Sequence, residues 1–417
     1  MSGPIRVSGP ATPRGRLLLA SGLTAAVALF LVTVPLHRHW FDLNVYYGAV
    51  GHWLRDGRIY EFTTPGADGA DYGFTYPPFA ALCMLPMTLV SWPGAVTIST
   101  ALNVAASAIV LGWLIGPLVR RQGWIPWFAF TVAACLFALL EPVRDTFSFG
   151  QVNLLLLVLV LFDAWLLSSG RGRFAGYGTG LAAAIKLTPA IFIVYLAVTR
   201  RWRAAATAAG TAVAATLLAA WVAPGASREY WTEALWDTDR IGVLAYVSNQ
   251  SWEGVLARLV EPLEPSGVLW GLGVLAVLAV WAHRVRGAAA AGNETAGFAL
   301  TGVAACLISP ITWVHHLVWL IPALAVLAES ALRPDAPPAR RRTRLRTAAV
   351  VHVLLCSSLV WLWRFDSTGV GGFLGSNAYV WICLGLLIAL PLRDTLPETG
   401  PAPAGGTARR MTGQTER

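Results

Sequence analysis

Charge is scarce in this sequence. Of 417 residues only 13% are Asp, Glu, Lys or Arg, against roughly 25% in an ordinary soluble domain. Hydrophobic residues make up 56%, and mean hydropathy is +0.59. No water-soluble fold of this size hides that much apolar surface, so the chain is a polytopic membrane protein. So little charge also excludes a disordered chain. Cysteine is scarce too. Cys83, Cys135, Cys306, Cys356 and Cys383 all lie in apolar stretches, are odd in number and form no CxxC pair. They read as small packing residues, which excludes a disulfide framework and a cysteine metal site. No P-loop, GxSxG, HExxH or Rossmann glycine motif occurs, which argues against ATP-driven transport, serine hydrolysis and zinc proteolysis. Lysine is rarest of all. Of the 31 basic residues one alone is Lys, at Lys186. The net charge of +9 marks cytoplasmic loops in such a protein, and no nucleic-acid partner is expected.

Uncharged runs delimit the spans. The run 17–36 follows Arg6, Arg14 and Arg16 and reads as an uncleaved first helix with the N-terminus inside. The run 72–119 would make a helix more than twice the ~30 Å hydrocarbon thickness, so a break is expected at Ser91-Trp92-Pro93-Gly94. Ser309-Pro310 breaks 295–328 in the same way, and further runs cover 122–140, 146–162, 204–227, 265–283, 347–363 and 367–392. Arginine clusters at 120–121, 171–173, 200–203, 284–286 and 331–346 are placed inside. The stretches 37–75, 224–264 and 364–372 then fall outside. Parity leaves one full span, 94–118, before Arg120, so 76–90 becomes a juxtamembrane or re-entrant helix on the outer face. Residues 174–199 begin and end beside arginines and read as two half-helices meeting near Lys186-Leu187-Thr188-Pro189, since irregular backbone at depth is tolerated where it lines a cavity. The expected fold is all-α and polytopic, with about 10–12 transmembrane helices and outer juxtamembrane helices. Its expected parts are a cytoplasmic N-terminus 1–16 and a catalytic membrane module 17–203 with outer loop 37–93. A second module 204–393 follows, with outer loop 224–264, and then a disordered cytoplasmic tail 394–417.

Four polar clusters could carry chemistry. The first outer loop opens His37-Arg38-His39-Trp40-Phe41-Asp42-Leu43-Asn44-Val45-Tyr46-Tyr47. A carboxylate at the water–lipid boundary is partly desolvated, which raises its basicity and suits it to general-base work. Tyr46, four residues after Asp42, shares its helix face. The plainer roles are a cap by Asp42 for a helix over 43–55 and an interfacial aromatic belt that includes Tyr47. Lys186 has 12 uncharged residues before it and 13 after. It suits a phosphate; the alternatives are snorkelling or a pair with Asp163. In Glu141-Pro-Val-Arg144-Asp145-Thr-Phe-Ser-Phe-Gly150-Gln151-Val-Asn153, Gln151 and Asn153 suit sugar hydroxyls and Arg144 a phosphate. Otherwise this is an ordinary polar turn. In Ser309-Pro-Ile-Thr-Trp313-Val-His315-His316 the adjacent rings diverge by about 100° on a helix, so they cannot share a metal. One of them suits a hydrogen bond to phosphate or sugar; the alternative is an interfacial histidine. Asn249, Gln250 and Trp252 precede an apolar helix and suit a sugar site, and Asp237 with Asp239 forms a DxD-like pair, weak evidence for metal by itself.

In order, the segments FDLNVYY, YPP, GQVNLLLL, GLAAAIKLTP and SPITWVHHLVWLIP, within about residues 15–390, resemble glycosyltransferase family 87. The resemblance implies a GT-C-type fold whose cavity faces the extracytoplasmic side of the plasma membrane. It implies a polyprenyl-phosphate mannose donor and, as acceptor, a mannosylated phosphatidylinositol glycolipid extended through an α-(1→2) linkage. It maps a catalytic carboxylate onto Asp42, a basic residue onto Lys186 and a late-helix histidine onto His315 or His316. Donors of this kind need no metal, so no cofactor is expected despite Asp237 and Asp239. The chemistry expected is an inverting displacement. Asp42 takes the acceptor proton while Lys186, Arg144 and one of His315 and His316 hold the departing phosphate. Tyr46, Tyr47, Gln151, Asn153, Asn249, Gln250 and Trp252 would orient sugar and acceptor. The chain is expected to act as a monomer among membrane lipids. The rivals are a related transferase with another sugar or acceptor, and a non-enzymatic flippase or transporter for lipid-linked sugars. A flippase needs polar access from both faces.

Overall fold

The computed structural model describes residues 12–34, 39–66, 71–237, 242–334 and 336–392. The expected tail 394–417, most of the N-terminal segment and Asp239 lie outside the described residues.

Helices form where the apolar runs predicted them, and their ends carry ordinary stop signals. Helix α1 (Pro13–Thr33) starts with Thr12, whose hydroxyl accepts from the Gly15 amide at 3.1 Å, and with proline at its first position, both favoured there. The chain then supplies α2 (Phe41–Asp56), a short antiparallel hairpin of β1 (Thr63–Pro65) and β2 (Asp71–Gly73), and α3 (Pro78–Met84). In the hairpin Thr64 faces Tyr72; the sequence reading did not foresee it. Helix α4 (Trp92–Gln122) begins at the expected Ser-Trp-Pro break and ends at left-handed Gly123. Next come α5 (Pro126–Leu139), α6 (Glu141–Phe149) and α7 (Asn153–Ser168). The expected span 146–162 therefore does not form as one helix. The chain bends by 73° between α5 and α6, where Pro142 interrupts the amide ladder, and it turns again at Gly150.

The half-helices are α8 (Tyr177–Ile185) and α9 (Ile191–Val198), with a short 3-10 turn at Thr188–Ala190 between them. Helix α10 (Trp202–Val222) leads to α11 (Pro224–Glu229), α12 (Trp252–Val260) and α13 (Gly267–Ala290). Helix α14 (Glu294–Ile308) stops at Ser309-Pro310, and a 3-10 stretch Val314–Leu320 runs into α15 (Ile321–Ala331). The described chain closes with α16 (Pro338–Cys356), α17 (Gly369–Ser376) and α18 (Ala378–Ala389). Among the described helices five are long and apolar enough to cross a membrane, or up to seven if each bent pair crosses once. Helices α7 and α14, of 16 and 15 residues, are shorter.

Four arginines gather at one end of the bundle. Arg121 pairs with Glu329 at 3.0 Å and Arg201 with Glu294. Arg344 donates to the Ser330 carbonyl at 3.2 Å, and Arg284 to that of Leu390. Two close approaches organise the bundle. Gly150, at φ +69°, ends α6; a Cβ there would lie 2.6 Å from that of Leu43. Only glycine tolerates that conformation and that contact together. The Trp40 amide donates to the Ser148 carbonyl at 2.9 Å, so the start of α2 is seated on this turn. Trp40 itself adopts φ 43°, a strained conformation for a bulky residue. The second approach holds α8. A Cβ on Gly178 would overlap the Leu159 carbonyl of α7, and one on Gly180 the Ala208 carbonyl of α10, the small-residue packing that lets membrane helices touch backbone to backbone. Asp163 accepts from the Thr179 amide at 2.7 Å and so is not the partner of Lys186. Gly180→Leu is expected to destabilise the protein by about 1–3 kcal/mol, read as a lower thermal midpoint in detergent. An unchanged midpoint would show that α8 and α10 can part without cost.

Candidate active site

These elements enclose a cavity of about 480 Å³, within the range of small-molecule sites. One wall is the first turns of α2, with Asp42, Val45 and Tyr46. Opposite is the tip between the half-helices, Lys186-Leu187-Thr188. The break after α14 supplies Ser309, Pro310, Trp313 and His316, and Tyr72, Tyr76 and Tyr230 complete an aromatic rim. A second, largely apolar cavity of about 320 Å³ lies between α3, α4 and α7. It shares Tyr46 and Gln151 with the first and is lined by Met84, Ile98, Leu102 and Leu159.

Asp42 does not cap a helix over 43–55. The helix starts one residue before it, with Trp40 at the cap position and no side-chain cap bond. Asp42 thus sits in the first turn, one turn from Tyr46, and faces the cavity. Its carboxyl is pushed up to about 6 by burial, against the lowering effects of a hydrogen bond with Gln151 and of the Lys186 charge. A base acts in its ionised form. If Asp42 is that base, kcat/KM is expected to rise about tenfold per unit of pH up to about 6 and to level off above. A pH–rate profile of purified protein checks this; a flat profile between pH 4.5 and pH 7 would contradict it.

From Asp42 a hydrogen-bonded chain crosses the cavity floor. Gln151 accepts from the Tyr76 hydroxyl at 3.2 Å, and the hydroxyls of Tyr46 and Tyr76 are 2.8 Å apart. Lys186 Nζ donates to Tyr76 Oη at 3.3 Å and to Asn153 Oδ1 at 3.2 Å, and lies 3.0 Å from His316 Nε2. The Trp313 amide donates to His316 Nδ1 at 3.2 Å. The site can thus present a carboxylate to one part of a bound molecule and a nitrogen pair to another.

The cavity brings together Asp42, Tyr46, Gln151, Lys186 and His316, with Asn153 behind the lysine. It does not include the other residues singled out in the sequence. Arg144 is turned away, donating to the Cys356 carbonyl at 2.9 Å and to Ser358 Oγ at 3.2 Å. His315 is buried, its ring edge-on to Phe149. Tyr47 donates to the Val90 carbonyl at 2.9 Å. Asn249 and Gln250 are fully buried scaffold. Asn249 donates to Pro310 O at 3.2 Å and accepts from the Thr312 amide at 2.9 Å, and Gln250 spans the Val247 and Ser376 carbonyls, each at 2.7 Å. Trp252 donates to the Leu269 carbonyl at 3.3 Å and packs on Gly273. Asn249 and Gln250 are thus committed to backbone at helix breaks that a membrane-embedded chain must satisfy internally. Asp237 is exposed. Sequence reasoning gave no role to Tyr76, the hub of the chain; its signal was the pair of prolines after it, which fixes the backbone at that point.

Residues 74–310 match the family described as glycosyltransferase family 87. The chain is 33% identical over 404 residues to a Mycobacterium tuberculosis protein named a polyprenol-phosphate-mannose-dependent alpha-(1-2)-phosphatidylinositol mannoside mannosyltransferase, with 89% of this chain and 90% of that protein covered. It is 36% identical over 377 residues to a protein of the same name from Mycolicibacterium smegmatis, covering 84% and 83%. A third relative, from the same organism and named for a phosphatidylinositol pentamannoside substrate, is 35% identical over 324 residues, covering 76% of each chain. No solved structure matches the chain.

Proposed function

Since the chain belongs to glycosyltransferase family 87, we propose that it transfers mannose from a polyprenyl-phosphate mannose to a mannosylated phosphatidylinositol glycolipid, forming an α-(1→2) linkage on the extracytoplasmic face of the plasma membrane. One observation carries most weight. Asp42 and the Lys186–His316 pair face each other across one cavity, linked through Gln151 and Tyr76. In support of that face, Lys186 and the cavity lie at the tip of the half-helices α8 and α9, whose other ends adjoin Arg173 and Arg200, and arginine-rich ends favour the cytoplasm.

The acceptor hydroxyl binds beside Asp42, which removes its proton. The freed oxygen attacks the anomeric carbon of a β-linked donor from the face opposite the phosphate. The new C–O bond forms as the bond to phosphate breaks, the configuration inverts, and polyprenyl phosphate leaves with one more negative charge. Lys186 and His316 receive that charge, and fixed donors in a drier site stabilise it more than water does. Arg144 takes no part, being bonded elsewhere. The apolar cavity beside Tyr46 and Gln151 suits the first isoprene units of the donor. The names of the relatives support the donor and acceptor.

The test supplies purified protein with radiolabelled polyprenyl-phosphate mannose and a panel of phosphatidylinositol mannosides. A lipid one mannose longer is expected. Label that crosses the bilayer of proteoliposomes with no transfer would instead make the protein a flippase. Because two protein groups already face the phosphate position, activity in EDTA is expected to equal that without it. A loss restored by Mn²⁺ or Mg²⁺ would bring Asp237 and Asp239 back as a metal site.

A further inference from the structure

Building on the donor reading above, we infer that Lys186 rests as a neutral amine and takes up one proton when the donor's phosphodiester enters. The hydrogen-bond pattern around two nitrogens carries this. The Trp313 amide donates to His316 Nδ1 at 3.2 Å, so Nδ1 presents its lone pair, and the neutral ring carries its proton on Nε2. Nε2 faces Lys186 Nζ at 3.0 Å. An ammonium has three N–H groups and no lone pair, so a charged lysine would set N–H against N–H. An imidazolium would add a second such clash, at the Trp313 amide.

The other two neighbours of Nζ both accept. Asn153 donates from Nδ2 to the His315 carbonyl at 3.3 Å, which turns its Oδ1 to the lysine. The Tyr76 proton goes to Gln151 Oε1, which leaves the phenol oxygen as an acceptor. Two N–H donors and one lone pair are what Nζ needs to satisfy all three neighbours, and that is an amine.

The titratable groups around it do not reverse this. Asp42 of α2 lines the same cavity, but no ion pair joins the two among the described residues. Cys306 of α14 is buried, Tyr46 and Tyr76 are neutral phenols at physiological pH, and the His315 ring stands edge-on to His316 at 4.6 Å. The composition then acquires a reason. Thirty of the 31 basic residues are arginine, which stays charged at every accessible pH. The one lysine stands where the cation has to be able to lose its proton. When the phosphodiester arrives, the amine binds a proton from solvent and donates to the phosphate oxygens, and His316 Nε2–H turns to the same anion. No bond of the donor changes in this step.

A single lysine also makes the test direct. Protein grown with lysine labelled at the side-chain nitrogen gives one Nζ resonance from this chain. At about pH 9, where Asp42 is ionised, an amine shift is expected before polyprenyl-phosphate mannose is added and an ammonium shift after. Binding of radiolabelled donor is counted on the same sample. In this range donor affinity is expected to weaken about tenfold per unit rise in pH, and Lys186→Arg is expected to remove that slope. An ammonium shift before the donor is added overturns the inference. So does an amine that persists once the donor is bound, or a slope that survives Lys186→Arg. If no donor binds, the donor reading has failed, and the spectrum of the free protein still decides the resting state.

Discussion

Asp42→Asn protein is expected to remain folded and to transfer mannose about 10³-fold more slowly, since a positioned general base contributes about 10²–10⁴ in rate. Asparagine keeps the shape of the side chain and can still hydrogen-bond Gln151, so the start of α2 stays seated on the Gly150 turn. It cannot take a proton from the acceptor hydroxyl. The loss should therefore fall on kcat, with the KM values of donor and acceptor changed little. The acid limb of the pH profile should vanish with it. Wild-type-like turnover in this variant would remove Asp42 from the mechanism. A drop confined to acceptor KM would reduce Asp42 to a binding group.

Lys186→Met should fail differently. Methionine fills much the same space but offers the phosphate nothing. Removal of one preorganised donor to a developing anion costs about 10²–10³ in rate, and the effect should appear in kcat/KM for the donor while acceptor KM stays near wild type. Initial rates with each substrate varied in turn give the split. Equal losses for both substrates would point to a collapsed cavity, and an unchanged donor kcat/KM would refute the phosphate role. Because Tyr76 and Asn153 lose a partner in this variant, its thermal midpoint has to be measured alongside.

The residues that reached the cavity were legible for reasons specific to each. Lys186 stood out because any ionisable group inside an apolar stretch needs an explanation. Asp42 and Tyr46 were linked by helical spacing, which survives whether or not the helix starts one residue early. Gln151 followed a glycine in an otherwise apolar run. Arg144, Asn249 and Gln250 misled for a shared reason. A polar side chain near a membrane serves either a ligand or a broken stretch of backbone, and composition does not separate the two. Asn249 serves the break at Ser309-Pro310, Arg144 the end of α16 at Cys356, and Gln250 the break between α17 and α18 at Ser376. Nor was the bend between α5 and α6 visible, because a charge-free run followed by a polar one looks like span and loop. The break at Lys186-Thr188 was readable because arginines flank both stems.

The hairpin of half-helices has an electrical consequence. Its stems, nine residues in α8 and eight in α9, rise only about 12–13.5 Å at 1.5 Å per residue. The hydrocarbon slab is about 30 Å thick. On the orientation proposed above, with the cavity open to the extracytoplasmic water, a transmembrane voltage would drop mainly across the stems below Lys186, and the local field there would be about twice that across intact bilayer. Lys186 and a donor phosphate bound to it would then sit on the outer side of that drop. Mannosyl transfer should then proceed at the same rate in energised and depolarised membranes, even though its charges lie deep within the profile of the bilayer.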